Sequence, residues 1–265
     1  MTKFLDTPPT GWHVPGMHAP LIASAFAALL VLTAAIPTVH ADVVAITACG
    51  QRFAGYGYLV GDLDCSGYPS YSVELDGGTL NLSGHTIVGG KYGVLCWRSC
   101  TVVNGTIEGA REDGIVAFKN AKVVNLTVRD NGFAGVKAGA AALVERSVLI
   151  GNARCGVQGL KRAKLKNVVS RDNYCGANGA GSTAVIDSQL VDNTHAGIVS
   201  DRIVATRSTI RDNHSSDQCG VTQPCADLMS PAEGRPPRLK ESTCETSHRG
   251  GTSITGETWG VCSLD

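Results

Sequence analysis

Apolar residues in this chain return in columns at a fixed stride. One column reads Val123, Val144, Leu165, Val185 and Ala205, and a second reads Val128, Leu149, Ser170, Leu190 and Ile210. A third reads Val94, Ile115, Val136, Val157, Ala177, Ile198 and Val221. Between the columns polar and apolar residues alternate, which is the pattern of a strand with one buried face. Most column residues are branched, and branched side chains fit a pleated surface. No amphipathic helical window of useful length interrupts the zone. The pattern predicts three short strands per repeat and no helix.

Two more columns fix the stride. Asparagine recurs at Asn131, Asn152, Asn173, Asn193 and Asn213, at spacings of 21, 21, 20 and 20 residues. Glycine recurs at Gly93, Gly114, Gly135, Gly156, Gly176, Gly197 and Gly220. Self-similarity of this kind marks a solenoid, in which each coil buries its apolar face against its neighbours. The expected fold is all-β, with about seven parallel coils of 20–21 residues. The asparagine is expected at an inward bend, its amide bonded to its own coil and to the next asparagine in a ladder. The glycine is expected where the chain re-enters a strand, at a positive φ. A leucine-rich repeat would need several leucines per repeat, and a hexapeptide helix a period of six; neither occurs.

The ends depart from the repeat. Residues 21–36 form an uncharged apolar run, followed by Pro37, with Val39 and Ala41 supplying the small residues before a cleavage point. Residues 1–41 therefore read as an export signal, with Met17 as an alternative start and a membrane-retained helix as the other reading. The run is shorter than the roughly 18 residues of a membrane span, so none is expected after cleavage. After Cys225 the period fails. Residues 42–228 are taken as the solenoid with its N-terminal cap, and 229–265 as a Pro-containing connection and closing cap.

Composition narrows the partners. Lys+Arg and Asp+Glu both total 23, giving a net charge of zero, so no overall basic surplus points to nucleic acid. All ten cysteines lie beyond residue 41, an even number behind an export signal. That combination predicts disulfides and a secreted, extracellular or periplasmic location. The chain is expected to be a monomer.

One segment carries a family likeness. "YLVGDLDCSG" and "LDGGTLNLSGHTIVGG", within residues 58–90, together with the repeat, resemble the right-handed parallel β-helix proteins of the pectate-lyase-like superfamily. The likeness covers residues from about 45 to 225 and implies a right-handed β-helix. That fold hosts lyases, hydrolases, epimerases and proteins without known chemistry, so it does not specify an activity. Cys155 and Cys175 each precede the recurrent glycine in successive coils. Stacked strands about 4.8 Å apart suit a disulfide between them. Proximity in sequence pairs Cys49 with Cys65, Cys96 with Cys100, Cys219 with Cys225 and Cys244 with Cys262.

Candidate chemistry sits outside the core columns. Asp130, Asp172, Asp192 and Asp212 precede the asparagines, with Gly151 breaking the series. Asp172, Asp192 and Asp212 in adjacent coils are calcium candidates, though Arg171 and Arg211 stand beside two of them and aspartate also suits bends. Otherwise no cofactor is expected. A ridge of Lys91, Glu112, Phe133, Arg154, His195 and Ser215, with Tyr174 nearby, mixes rings and charges that suit a sugar chain. Lys137, Gln158 and Asn178 follow the third apolar column and are expected to face outward as a polar floor. The substrate-binding candidates are thus Phe133, Arg154, Gln158, Tyr174 and Asn178. Lys137 and His195 are the candidate proton acceptors for a lyase or epimerase.

Missing motifs count too. There is no paired-Asp phrase with a nearby Gly-His-Gly, and no Arg-x-Pro-x-x-Arg phrase; Arg235 and Arg238 in "GRPPRLK" have the wrong spacing. The expectation is a secreted β-helix whose outer face binds polysaccharide or another extended polymer. A polyuronate lyase or epimerase and a structural or adhesive surface protein are the alternatives.

Overall fold

The computed structural model describes residues 43–213, 226–230, 234–249 and 259–263. Within them there is no helix, and every strand pairing is parallel. The chain winds into a β-solenoid of about nine turns. Each turn lays one rung on each of three sheets. The first sheet contains Tyr92–Cys96, Ile115–Ala117, Val136–Ala138, Cys155–Gly159, Cys175–Gly179, Ala196–Val199, Ala226–Ser230 and Ser247–Arg249. The second contains Ala141–Glu145, Arg162–Lys166, Ser182–Ile186, Ile203–Thr206 and Arg238–Lys240; the third contains Val148–Ile150, Val169–Arg171, Gln189–Val191, Thr209–Arg211 and Thr243–Cys244. Toward the N-terminus longer strands bend from one sheet into the next. Tyr71–Asn81, for example, pairs with Tyr92–Cys96 and then with Cys100–Glu108, turning at Gly77 and Gly78 with φ of 95° and 114°.

The apolar columns stack as their stride requires. Val123, Val144, Leu165, Val185 and Ala205 are consecutive partners, as are Val128, Leu149, Ser170, Leu190 and Ile210. Val94 through Ile198 form the third stack, and all of these side chains are fully buried. Ser170 is tolerated because its hydroxyl donates to the Gly176 carbonyl at 3.0 Å.

The solenoid is longer than about seven coils because both ends join it. Val43–Ile46, Gln51–Leu59 and Leu63–Cys65 already form rungs. At the other end strands continue to Arg249, past the boundary expected at residue 228. Ile198 there pairs with Leu228; Gly220 and Val221, which continue two columns in the sequence, lie outside the described residues. So do the export signal, Ser215 and the Cys219–Cys225 pair.

The asparagine ladder forms. Each Nδ2 donates to the next Oδ1: Asn131 to Asn152 at 2.8 Å, Asn152 to Asn173 at 2.9 Å, Asn173 to Asn193 at 3.1 Å and Asn193 to Asn213 at 2.7 Å. The same oxygens accept the backbone N–H of the preceding asparagine. Asp227 ends the ladder, accepting Asn213 Nδ2 at 2.9 Å on Oδ1 and the Glu245 N–H at 2.7 Å on Oδ2. A second ladder, of serines, follows a different bend: Ser188 Oγ accepts the Val168 N–H, and Ser208 Oγ accepts the Ser188 N–H.

One conformational expectation is corrected. The recurrent glycines Gly93 to Gly197 are not among the residues with positive φ. They are required by space: a Cβ on Gly135 would lie 2.8 Å from the Gly156 carbonyl oxygen and 3.1 Å from Asn152 Nδ2. The residues before the asparagines do have positive φ: Asp130 at 55°, Gly151 at 64°, Asp172 at 57°, Asp192 at 54° and Asp212 at 57°. A left-handed bend is what that column shares, and it explains why glycine interrupts the aspartates.

Four of the five expected disulfides lie among the described residues: Cys49–Cys65, Cys96–Cys100, Cys155–Cys175 and Cys244–Cys262. Four such bonds fit folding in an oxidising, extracellular environment.

Candidate functional site

The outer face of the first sheet carries a hollow that brings rings and charged groups together. Its floor begins with side chains that alternate away from the core: Leu95, Val116, Lys137, Gln158 and Asn178 occupy one register position on successive rungs. The next position along, just past the strands, holds Trp97, Phe118, Gly139 and Leu160, each joined to the previous rung by backbone hydrogen bonds of 2.8–3.0 Å. Tyr92, Leu95, Trp97, Asp113, Phe118, Lys137 and Leu160 enclose about 380 Å³. A wider depression of about 410 Å³ lies on the second sheet, but its lining from Gly78 to Leu143 has no ring and one cation, Lys122. The chemistry concentrates in the first.

Trp97 and Phe118 are the centre of the hollow. They stack with ring centroids 5.0 Å apart and planes inclined by 18°. Both stay 46% and 54% exposed, which is unusual for rings of this size and leaves a flat apolar platform open to solvent. The Cys96–Cys100 disulfide closes the loop that carries Trp97, and Trp97 Nε1 donates to Glu74 Oε1. Glu74 is itself buried and paired with Arg52 at 3.4 Å. The loop is therefore held at its base and by the indole.

The polar part of the hollow is Asp113 with Lys137. Asp113 is only 3% exposed. Its Oδ1 accepts the Ala134 N–H at 2.9 Å, and its Oδ2 stands 3.6 Å from Lys137 Nζ. Burial raises the Asp113 pKa above the usual carboxylate range, opposed by the Ala134 N–H and by Lys137. Tyr92 is also raised, chiefly by burial and then by its hydrogen bond to Glu112. The site joins a ring platform to one carboxylate, one ammonium and one phenol.

The ridge expected from the sequence runs beside this hollow. Lys91, Glu112, Phe133, Arg154, Tyr174 and His195 are joined rung to rung by backbone hydrogen bonds of 2.8–3.1 Å. Tyr174, not a neighbour of the ridge but a member, occupies the rung because one residue is missing before it. The side chains associate in pairs. Lys91 meets Glu112 at 3.5 Å, Arg154 covers the Phe133 ring at 5.7 Å, and Tyr174 stacks on His195 at 4.6 Å. Burial lowers the His195 pKa. Of the candidates, Lys137 lines the hollow; His195, Phe133, Arg154, Gln158, Tyr174 and Asn178 do not.

The aspartate column does not gather a metal site. Asp172 pairs with Arg171, and Asp212 with Arg211 at 2.7 Å. Among the described residues no group of three His, Cys, Asp or Glu side chains is placed to hold a metal ion, and no helix is long and apolar enough to cross a membrane.

Sequence reasoning passed over Trp97, Phe118 and Asp113. The signal was present: residues 97 and 118 are one stride apart in a chain with only 5% aromatic residues. Comparison with protein-family models, curated proteins and solved structures returns no match for this chain. The likeness to the pectate-lyase-like superfamily extends to the parallel solenoid and its repeat, and no family match carries it further.

Proposed function

We propose that the chain is a secreted polymer-binding protein that seats an extended polysaccharide across the outer face of its first sheet. The observation behind this reading is the Trp97–Phe118 platform, two stacked and half-exposed rings on successive rungs. One face of a sugar ring is largely C–H, slightly positive and flat, so it packs on the negative face of an aromatic ring. Lys137 and Asp113 beside the platform supply a donor and an acceptor for hydroxyl or carboxylate groups. A solenoid repeats such positions at every rung, which suits a ligand that is itself a repeat.

Export and four disulfides agree with a partner outside the cell. Each ring contact is worth about 0.5–1.5 kcal/mol, so losing one weakens binding up to about tenfold. The test is a titration of residues 42–265 with neutral and uronate oligosaccharides, following tryptophan fluorescence in a Trp259→Phe background that leaves Trp97 as the emitter. Saturable quenching in that background, with its midpoint moved up to about tenfold higher when Phe118→Ala is added, supports the proposal; no ligand-dependent change with any glycan overturns it. Release of an unsaturated, ultraviolet-absorbing product from polyuronate would assign a lyase instead.

A further inference from the structure

We infer that the outer face of the second sheet is a separate binding surface for an acidic polysaccharide. Along Arg162–Lys166, the sequence "RAKLK" points Arg162, Lys164 and Lys166 outward, with Ala163 and Leu165 buried between them. The next rung, Ser182–Ile186, presents only the small or neutral Ser182, Ala184 and Ile186 on that side. Beyond it Arg202, Arg235 and Arg238 surround Pro236 and Pro237 and line a cavity of about 300 Å³. Arg238 pairs in register with Val204, and the Arg235 N–H donates to the Asp201 carbonyl at 3.0 Å. The cations therefore stand on fixed backbone, and the two prolines stiffen the segment between them.

These six cations differ from arginines elsewhere on the solenoid that are neutralised in place. Arg129, Arg171, Arg207 and Arg211 each hold a carboxylate. Among the described residues none lies within ion-pair distance of Arg162, Lys164, Lys166, Arg202, Arg235 or Arg238. The acids at the rim are Glu145, Asp187, Asp201 and Glu241, and Asp187 is already held by Arg207 at 2.6 Å. In a chain of zero net charge this is segregation of charge onto one face.

The chemistry of the partner follows from what the face contains and lacks. Guanidinium forks bind planar or tetrahedral oxyanions in two-point contacts, so carboxylate and sulfate groups both fit. The cationic rungs flank a neutral one, placing charge about 10 Å apart along the axis, two strand spacings. A regularly charged, extended polymer meets that pattern. No ring faces outward on these rungs, so the bases of single-stranded nucleic acid have no stacking platform. An acidic polysaccharide needs none.

The experiment is retention of residues 42–265 on immobilised polygalacturonate and on dextran sulfate, with neutral dextran as blank and a thymidine oligonucleotide as competitor. The variants are Arg202→Gln/Arg235→Gln/Arg238→Gln, Arg171→Gln on the third sheet and Trp97→Ala on the first; circular dichroism verifies their folds. Retention on either acidic matrix, falling at least about tenfold in the triple variant and unchanged in Arg171→Gln, supports the inference. Polygalacturonate alone assigns a carboxylate ligand, and dextran sulfate alone a sulfate ligand. An unchanged triple variant, an equal loss in Arg171→Gln, or preference for the oligonucleotide overturns it. Failure of the ring platform shows separately, as neutral-glycan binding that ignores Trp97→Ala.

Discussion

Replacing Asn173 with alanine tests the interior of the solenoid. Asn173 is 1% exposed, and its Oδ1 accepts both the Asn152 N–H at 3.0 Å and Asn152 Nδ2 at 2.9 Å. Its own Nδ2 reaches the Leu149 carbonyl, Ser170 Oγ and Asn193 Oδ1 at 3.1–3.2 Å. Some of these partners survive the change, since Asn193 Oδ1 keeps the residue-173 backbone N–H and Asn152 Nδ2 keeps the Val128 carbonyl. Two donor hydrogens on Asn152 do not. At about 1–3 kcal/mol for each buried donor left unpaired, Asn173→Ala costs about 2–6 kcal/mol. That is a large part of the about 5–15 kcal/mol by which domains are stable. Urea unfolding followed by circular dichroism reads it directly. The neighbouring Asp172→Gly is the control: φ is 57° there and the side chain is exposed, so glycine relieves strain and stability stays level or rises by about 1 kcal/mol. An Asn173→Ala variant within 1 kcal/mol of wild type, as threshold, would refute the ladder argument.

Three further outcomes are expected. Removing Cys155–Cys175, which spans 20 residues, costs about 3 kcal/mol of unfolding free energy, against about 2 kcal/mol for Cys96–Cys100, which spans 4; equal losses in urea titrations would contradict the loop-entropy reasoning. Gly135→Ala drives a Cβ toward the Gly156 carbonyl and costs about 1–3 kcal/mol, whereas Gly67→Ala meets nothing within 4 Å and is neutral or stabilising in thermal melts. Asp113 has a folded-state pKa raised by burial, so its contribution is fully present below the unfolded value of about 3.9 and is lost as pH rises through the folded one. Subtracting the stability of Asp113→Asn from that of wild type at pH 4 to 8 should give a difference that falls with pH; a rising difference would reverse the assigned cause.

The stride and its three apolar columns were legible because equal letters become vertical neighbours, as Val144, Leu165 and Val185 do. Cys155–Cys175 followed from the same rule. The glycine column was legible in position and not in cause, because the crowding comes from the next rung's carbonyl and a neighbouring amide, which no local φ preference reveals. The ends escaped the pattern for a related reason. Rungs such as Arg238–Lys240 belong to turns of irregular length, so their side chains stack in register without a regular stride in the text. At the hollow, Lys137 stands in a regular column, but Trp97 lies in the short loop between Cys96 and Cys100, outside the apolar columns. Its partnership with Phe118 depends on a loop conformation held by Glu74, which lies on another rung.

The central functional claim is that Trp97 and Phe118 act together as one surface. A double-mutant cycle on glycan affinity, using Trp97→Ala, Phe118→Ala and both, isolates their coupling. If one platform holds the polymer, the combined loss differs from the sum of the single losses by about 0.5–1.5 kcal/mol. Losses that add within about 0.3 kcal/mol, or an affinity that none of the three variants changes, would contradict it.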